Sequence, residues 1–220
     1  MKSHLIAADH NHSWDAIKEA HRLSYNPRKL EQYYDTWSGD YDTDVSNEDY
    51  SGPKFIADYL AKILENDINQ DMNILDAGCG TGLVGIALAQ KGFRSIHGFD
   101  LSYRMVEKAE QTGVYTSLEG GCDMTCTIEA YQDNQYEVTV CCGVFTSGHV
   151  YPNALEELIR ITKPEGLLLI STRKSYYENT DFQTTCDRLQ EEGKVQLIDS
   201  VMDGPYIAEE GAHYWAFAIC

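Results

Sequence analysis

Positive charge is scarce in this sequence. The 17 Lys and Arg stand against 35 Asp and Glu, a formal net charge of −18. Nucleic acid and anionic lipid both demand a basic surface, so this balance argues against either as a partner. Long apolar runs are missing too. The longest aliphatic stretch is Leu167 to Ile170, whereas a membrane helix needs about 20 apolar residues. Met1-Lys2-Ser3-His4-Leu5 leads into Asp9, His10 and His12, which predicts no secretory leader. No C-x-x-C pair occurs among the 7 cysteines. Free thiols in a reducing, cytoplasmic setting are therefore expected. Repeats and low-complexity tracts are absent. What is there suits one acidic α/β domain: 220 residues with 43% apolar content fill one sizeable core but not two enzymatic domains.

Residues 1–25 read as a mobile or partly helical tail, with Trp14, Ile17, His21 and Leu23 hinting at one short helix. His4, His10 and His12 have no acidic or Cys ligand to complete a geometry, so no metal site is expected. A single domain is expected over 26–220. Its first part, 26–50, carries no Lys or Arg between Leu30 and Gly52. Tyr33, Trp37 and Tyr41 lie four apart, which predicts one shared helical face. That face has few aliphatic neighbours, so 26–50 is expected to act as a lid, with Tyr41 near a ligand and Trp37 walling an acceptor pocket. An amphipathic helix should follow from Pro53, burying Phe55, Ile56, Tyr59, Leu60, Ile63 and Leu64.

From residue 72 strand and helix alternate. Strands are predicted over 73–77, 95–99, 115–118, 136–142 and 167–172, and two more over 195–202 and 213–219. Helices are expected over 82–91, after a Ser102 cap, from Pro152 and around Phe182, Cys186 and Leu189. Repeated βα alternation implies a Rossmann-like, mostly parallel sheet with helices on both faces. The last two strands lack a helix between them and suggest an antiparallel edge hairpin.

The segment Leu75-Asp76-Ala77-Gly78-Cys79-Gly80-Thr81-Gly82-Leu83-Val84-Gly85 sits at a strand-to-helix junction. Gly80, Gly82 and Gly85 satisfy the dinucleotide fingerprint G-x-G-x-x-G, and Asp100 at the second strand end would hold a ribose. A nicotinamide enzyme is thus one reading. The other rests on more of the chain. Asp76, Gly78, Gly80 and Gly82 spell D-x-G-x-G-x-G, which resembles the first motif of class I S-adenosylmethionine (SAM) methyltransferases. Phe99-Asp100-Leu101-Ser102 with Met105 resembles the second. Gly121-Cys122-Asp123-Met124, Tyr136-Glu137-Val138-Thr139-Val140 and Lys163-Pro164-Glu165-Gly166 resemble the next three, in order. Charge agrees. SAM is cationic and has no phosphate, and from Ala109 to Ile159 there is no Lys or Arg while eight acids occur.

The resemblance narrows further. Tyr34-Asp35-x-Trp37-x-x-x-Tyr41-Asp42-x-Asp44-Val45, Tyr50-x-Gly52-Pro53, Gly148-His149-Val150 and Ser171-Thr172-Arg173 are similar to the methyltransferase-like family named for the Williams–Beuren syndrome chromosomal region. It covers about residues 30–220 and departs at Glu165, where the family has Gly, and at Glu137, where related enzymes have Asp. It implies a seven-stranded sheet and SAM as cofactor, with S-adenosylhomocysteine (SAH) as product. It implies cofactor contacts at Tyr41, Asp76, Gly78, Cys79, Gly80, Asp100, Leu101, Met105, Asp123, Met124, Cys141 and Cys142. Asp100 would take the ribose hydroxyls, Leu101 and Met105 the adenine faces, and Asp123 and Met124 its edge.

For the chemistry, His149 follows the fourth strand, where loops at strand ends carry the site, and its ordinary pKa suits a general base. Arg173 and Tyr206, after the fifth and sixth strands, would join Trp37 and His149 around the acceptor. The paucity of cations and the Tyr/Trp-rich entrance favour a small neutral or cationic acceptor, methylated on oxygen or nitrogen, and the chain is expected to be a monomer or weak dimer. A SAM-binding protein with another activity, or a pseudoenzyme, is the alternative. A protein-interaction module needs neither the glycine loop nor Asp100.

Overall fold

The computed structural model describes residues 13–65 and 69–220. The His4, His10 and His12 tract lies outside them. Residues 13–20 form helix α1. Rather than trailing away, α1 buries Ile17 and Ala20 against Trp37. The Tyr25 amide donates to the carbonyl of Gly148 at 2.8 Å, which docks this segment onto the loop after the fourth strand.

Helix α2 spans Pro27–Trp37; Asn26 caps it by accepting from the Lys29 amide, and Pro27 occupies the first turn, where its missing N–H is harmless. Helix α3 spans Tyr41–Asn47. The single helical face expected for Tyr33, Trp37 and Tyr41 is therefore broken between Trp37 and Tyr41, at Ser38-Gly39-Asp40. The Trp37 and Tyr41 rings still meet, 4.8 Å apart, because Ser38 and Asp40 keep right-handed helical backbone angles across the break. Helix α4, Gly52–Leu64, buries Ile56, Ala57, Tyr59 and Leu60, close to the predicted stripe.

Then come β1 (Asn73–Ala77), α5 (Leu83–Gln90), β2 (Ser95–Asp100), α6 (Tyr103–Gln111), β3 (Ser117–Gly120) and β4 (Tyr136–Phe145). A short 3₁₀ turn (Pro152–Ala154) leads into α7 (Leu155–Ile161). The chain ends with β5 (Thr162–Arg173), α8 (Lys174–Asn179), α9 (Phe182–Glu191), β6 (Val195–Gly204) and β7 (Ala212–Ile219). The seven strands form one sheet in the order β3-β2-β1-β4-β5-β7-β6. β1, β2, β3, β4 and β5 pair in parallel, while β7 runs antiparallel to both β5 and β6. The closing hairpin is thus present, with β7 inserted between β5 and β6 and β6 at the edge of the sheet. Helix α8 was not legible: its six residues, KSYYEN, carry no apolar period.

Alternation along the strands sorts the core into two faces. Leu75, Cys141, Leu168 and Ile170 pack with α7 and α9. Ile74, Val138, Val140 and Leu169 pack with α4 and α5. The turn into β5 explains one departure from the family pattern. Glu165 has φ 65°, the left-handed region that glycine enters freely and an L side chain enters at about 1 kcal/mol or more. Regular pairing of β5 with β4 starts only at Leu167.

Candidate active site

The carboxyl ends of β1, β2 and β4 open onto a cavity of about 750 Å³ beneath α2 and α3. Its floor is the loop after β1. The amides of Gly78 and Cys79 both donate to the Phe99 carbonyl, at 2.9 and 2.8 Å, which pins the loop to β2. Gly78 has φ 73°, and a Cβ there would meet Val144 at 2.4 Å; only glycine fits. Gly80 also has positive φ, yet nothing lies within 4 Å of where its Cβ would be. That space belongs to the cavity.

Asp100 stands at the tip of β2. Its Oδ2 accepts the Gly80 amide at 2.9 Å and its Oδ1 the Ser102 amide at 2.8 Å. Burial raises this carboxyl to about 6, against the lowering effect of those amides. Gly78, Gly80, Asp100, Leu101, Met105, Asp123, Met124, Cys142, Tyr41 and His149 all line the cavity, and among the described residues no Lys or Arg does. Asp76, Cys79 and Cys141 do not line it. Cys141 points to the opposite face of β4 from Cys142, into the α7–α9 core. The Cys79 thiol is buried and turns back on the Gly80 carbonyl. Asp76 is fully buried behind the loop, where its Oδ2 accepts the Tyr115 hydroxyl at 2.6 Å. Burial pushes Asp76 up to about 7. Tyr115, which in turn takes the Gly85 amide at 3.2 Å, braces the glycine loop; no spacing in the sequence singled it out.

A second cavity, about 410 Å³, adjoins the first and shares Tyr34, Tyr41 and Gly143 with it. Trp37, Arg173 and Tyr206 line this one, together with His21, Tyr50 and Thr146. Arg173 is only 3% exposed. Its Nη2 pairs with Glu209 at 2.8 Å, its Nε with Glu210 at 2.5 Å, and its Nη1 donates to His21 Nε2 at 2.9 Å. Burial, with Arg173 beside it, lowers His21 to about 3, so this ring is neutral.

His149 is not free to take a ligand's proton directly, contrary to the expectation for it. Its Nδ1 lies 2.9 Å from the Ser147 carbonyl and its Nε2 lies 2.6 Å from the Tyr34 hydroxyl. Both ring nitrogens are engaged. Burial lowers its pKa to about 4. Tyr34, absent from the expected contacts although it opens the N-terminal signature, lies between His149 and the second cavity.

Helices α2 and α3 are tied over the site by side chains. Asp35 accepts the Ser102 hydroxyl at 2.6 Å and the Arg104 amide at 3.2 Å, at the start of α6. Thr81 of the glycine loop donates to Asp42 at 2.5 Å. Asp44 takes the Trp37 indole N–H at 2.7 Å and the Ser13 hydroxyl at 3.2 Å, joining α3 to α2 and α1.

The chain is similar to known proteins. The profile of the methyltransferase domain family matches residues 48–218. Human methyltransferase-like protein 27 is 33% identical over 185 residues, which cover 80% of this chain and 72% of that protein. The putative methyltransferase YqeM of Bacillus subtilis is 33% identical over 125 residues, 54% of this chain and 49% of its own length. Magnesium protoporphyrin IX methyltransferase from Synechocystis PCC 6803, solved with bound SAH, superposes with a TM-score of 0.58 at 17% identity, covering 76% of this chain and 83% of that one. At that identity the likeness is one of fold.

Proposed function

The chain belongs to the methyltransferase domain family and is a SAM-dependent methyltransferase; from that premise we propose that its acceptor is a small neutral or cationic compound, methylated on oxygen or nitrogen. One observation carries the proposal: two adjoining cavities meet at Tyr34, Tyr41 and Gly143. One is charged for the cofactor, and the other is smaller and carries Tyr34, Trp37, Tyr41, Tyr50 and Tyr206 on its wall.

The first cavity fits SAM on its own chemistry. Asp100 offers a carboxylate with its amide bonds already made and lone pairs left for ribose hydroxyls. Gly80 leaves open room in the loop where any side chain would intrude. Asp100 and Asp123 line the cavity with no Lys or Arg beside them among the described residues, which suits a positively charged ligand. In this reading Leu101 and Met105 flank the adenine, Asp123 and Met124 meet its edge, and Cys142 and Tyr41 border the sulfonium end. Bound there, SAM supplies a methyl group already activated for displacement. The chain's own residues then have two tasks. Tyr34, Trp37, Tyr41 and Tyr206 position the acceptor, and alignment of this kind accounts for much of the rate in such displacements. Helices α2 and α3, tied down through Asp35 and Asp42, exclude water from the junction.

Incubating the protein with SAM and a set of small hydroxyl and amine compounds, and measuring SAH, tests the reading. SAH formed with one of them is the expected result. Tight SAH binding with no turnover on any of them would leave a SAM-binding protein of another activity.

A further inference from the structure

Tyr34 stands where the two cavities meet and lines both. The hydrogen bonds behind it have a fixed direction. A backbone carbonyl only accepts, so the 2.9 Å contact with Ser147 places the imidazole proton of His149 on Nδ1. Nε2 is left with its lone pair, 2.6 Å from the Tyr34 oxygen, and takes the Tyr34 hydroxyl proton. Donation therefore runs one way, from Tyr34 through His149 to Ser147. Tyr34 has committed its only proton and turns lone pairs alone toward the junction. A ligand group that meets it there must be a donor.

We infer that Tyr34 is a catalytic residue whose oxygen receives the hydrogen bond of a hydroxyl on the acceptor and relays the displaced proton to His149 as that hydroxyl oxygen is methylated. The inference rests on the methyl-transfer reading above. The O–CH₃ bond forms as the S–CH₃ bond breaks, and the sulfonium becomes a thioether. The hydroxyl proton passes to the Tyr34 oxygen while the proton Tyr34 held passes to His149 Nε2. Water takes it from the imidazolium when product leaves, which restores the starting state.

Proton affinity chooses a hydroxyl over an amine. An oxygen carrying both its hydrogen and a new methyl group is a strong acid, so a weak base suffices to remove the proton. His149, its two nitrogens held by Ser147 and Tyr34 and its pKa lowered to about 4 by burial, is such a base. An alkylammonium of lysine type, with a pKa of roughly 10, would keep its proton against it.

Nitrogen-15 NMR of the histidine rings in the full chain reads the relay without any acceptor. His149 is expected to carry its proton on Nδ1, and its Nε2 resonance to move in Tyr34→Phe. A proton on Nε2 overturns the proposal. The SAH-loaded chain is then titrated with phenol and with anisole, which lacks the hydroxyl proton. Phenol is expected to bind about 5-fold more tightly, the worth of one hydrogen bond, and Tyr34→Phe to erase the preference. Equal binding of the two in the wild type, or a preference that survives in the variant, overturns it. His149→Leu removes the acceptor of the Tyr34 proton and serves as the second variant should Tyr34→Phe not fold; Tyr34 can then donate to the anisole oxygen as well, so the preference should shrink. Failure to turn over SAM with any acceptor would sink the methyl-transfer reading, whereas these spectra and titrations read Tyr34 alone.

Discussion

The two cavities touch at Tyr34, yet they are built in different ways. The first is made by strand tips and backbone amides: Gly78 and Cys79 are held by Phe99, and Asp100 by Gly80 and Ser102. The second is made by side chains brought from far apart, with His21, Trp37 and Tyr50 from the N-terminal segments facing Arg173 and Tyr206. The parts of the first are fixed by the sheet. Those of the second depend on a few long-range hydrogen bonds, such as Asp35 to Ser102 and Asp42 to Thr81. A shared cofactor suits the former construction, and an acceptor that differs between relatives suits the latter.

Breaking the first construction should have the largest effect. Gly78→Ala places a methyl group 2.4 Å from Val144 at a left-handed backbone position. Overpacking and backbone strain together should cost about 2–5 kcal/mol, read as a lower midpoint in urea. An unchanged midpoint would show that the loop is not held as described.

The carboxyls and the histidines around the site titrate in opposite directions. Asp100 is raised from 3.8 to about 6, so the native state keeps a proton that the unfolded chain has released. Stability from this group is full below about pH 4 and falls as pH rises through about 6. Asp76, raised to about 7, acts in the same sense. His149 is lowered from 6.5 to about 4, so the unfolded chain binds a proton that the native state refuses. Its contribution is full above about pH 6.5 and falls as pH drops through about 4, and His21 adds to that limb. Each group is worth on the order of 3–5 kcal/mol across its window. Denaturant titrations at a series of pH values should show Asp100→Asn flattening the limb near pH 6 and His149→Gln flattening the acid one. Parallel profiles for wild type and variants would contradict both assignments.

Smaller again is the loss of a ligand contact. Asp100→Ala removes the acceptor for the ribose hydroxyls and should weaken SAH binding by about 1–3 kcal/mol, roughly 5- to 150-fold. Calorimetric titration checks it, and unchanged affinity would move the ribose elsewhere. Least costly is cutting one tie of the second construction. Asp42→Ala frees Thr81 and should raise hydrogen exchange over residues 27–47 about 5-fold, as one hydrogen bond of about 1 kcal/mol would. If SAH does not slow exchange there in the wild type, α2 and α3 form a permanent cover and not a lid.

Spacing in the sequence was enough to place most strands, the glycine loop and the Ser102 cap, because each depends on contacts within a few residues. The family resemblance put its expected cofactor contacts on these same segments: the fold carries the loop after β1 and the tip of β2 to one edge, so Gly78, Gly80, Asp100, Leu101 and Met105 line one cavity. It overreached at Asp76 and Cys141, whose neighbours line the cavity while they themselves turn into the interior; strand alternation and the Tyr115 hydroxyl decide that, and Tyr115 lies 39 residues from Asp76. Spacing also read Trp37 and Tyr41 as one helical face, where the chain breaks at Ser38–Asp40 and folding restores the contact. The direction of the Tyr34–His149–Ser147 chain was beyond any local pattern. It spans 115 residues between Tyr34 and His149, and the role of a histidine is set by which groups meet its two nitrogens. What the sequence by itself determined is the sheet, its glycine loop and the acidic character of the cofactor side, since these follow from periodicity, φ requirements and charge. Only the tertiary structure decided which phenol meets which imidazole, because hydrogen-bond polarity in a buried site is a property of the assembled neighbours.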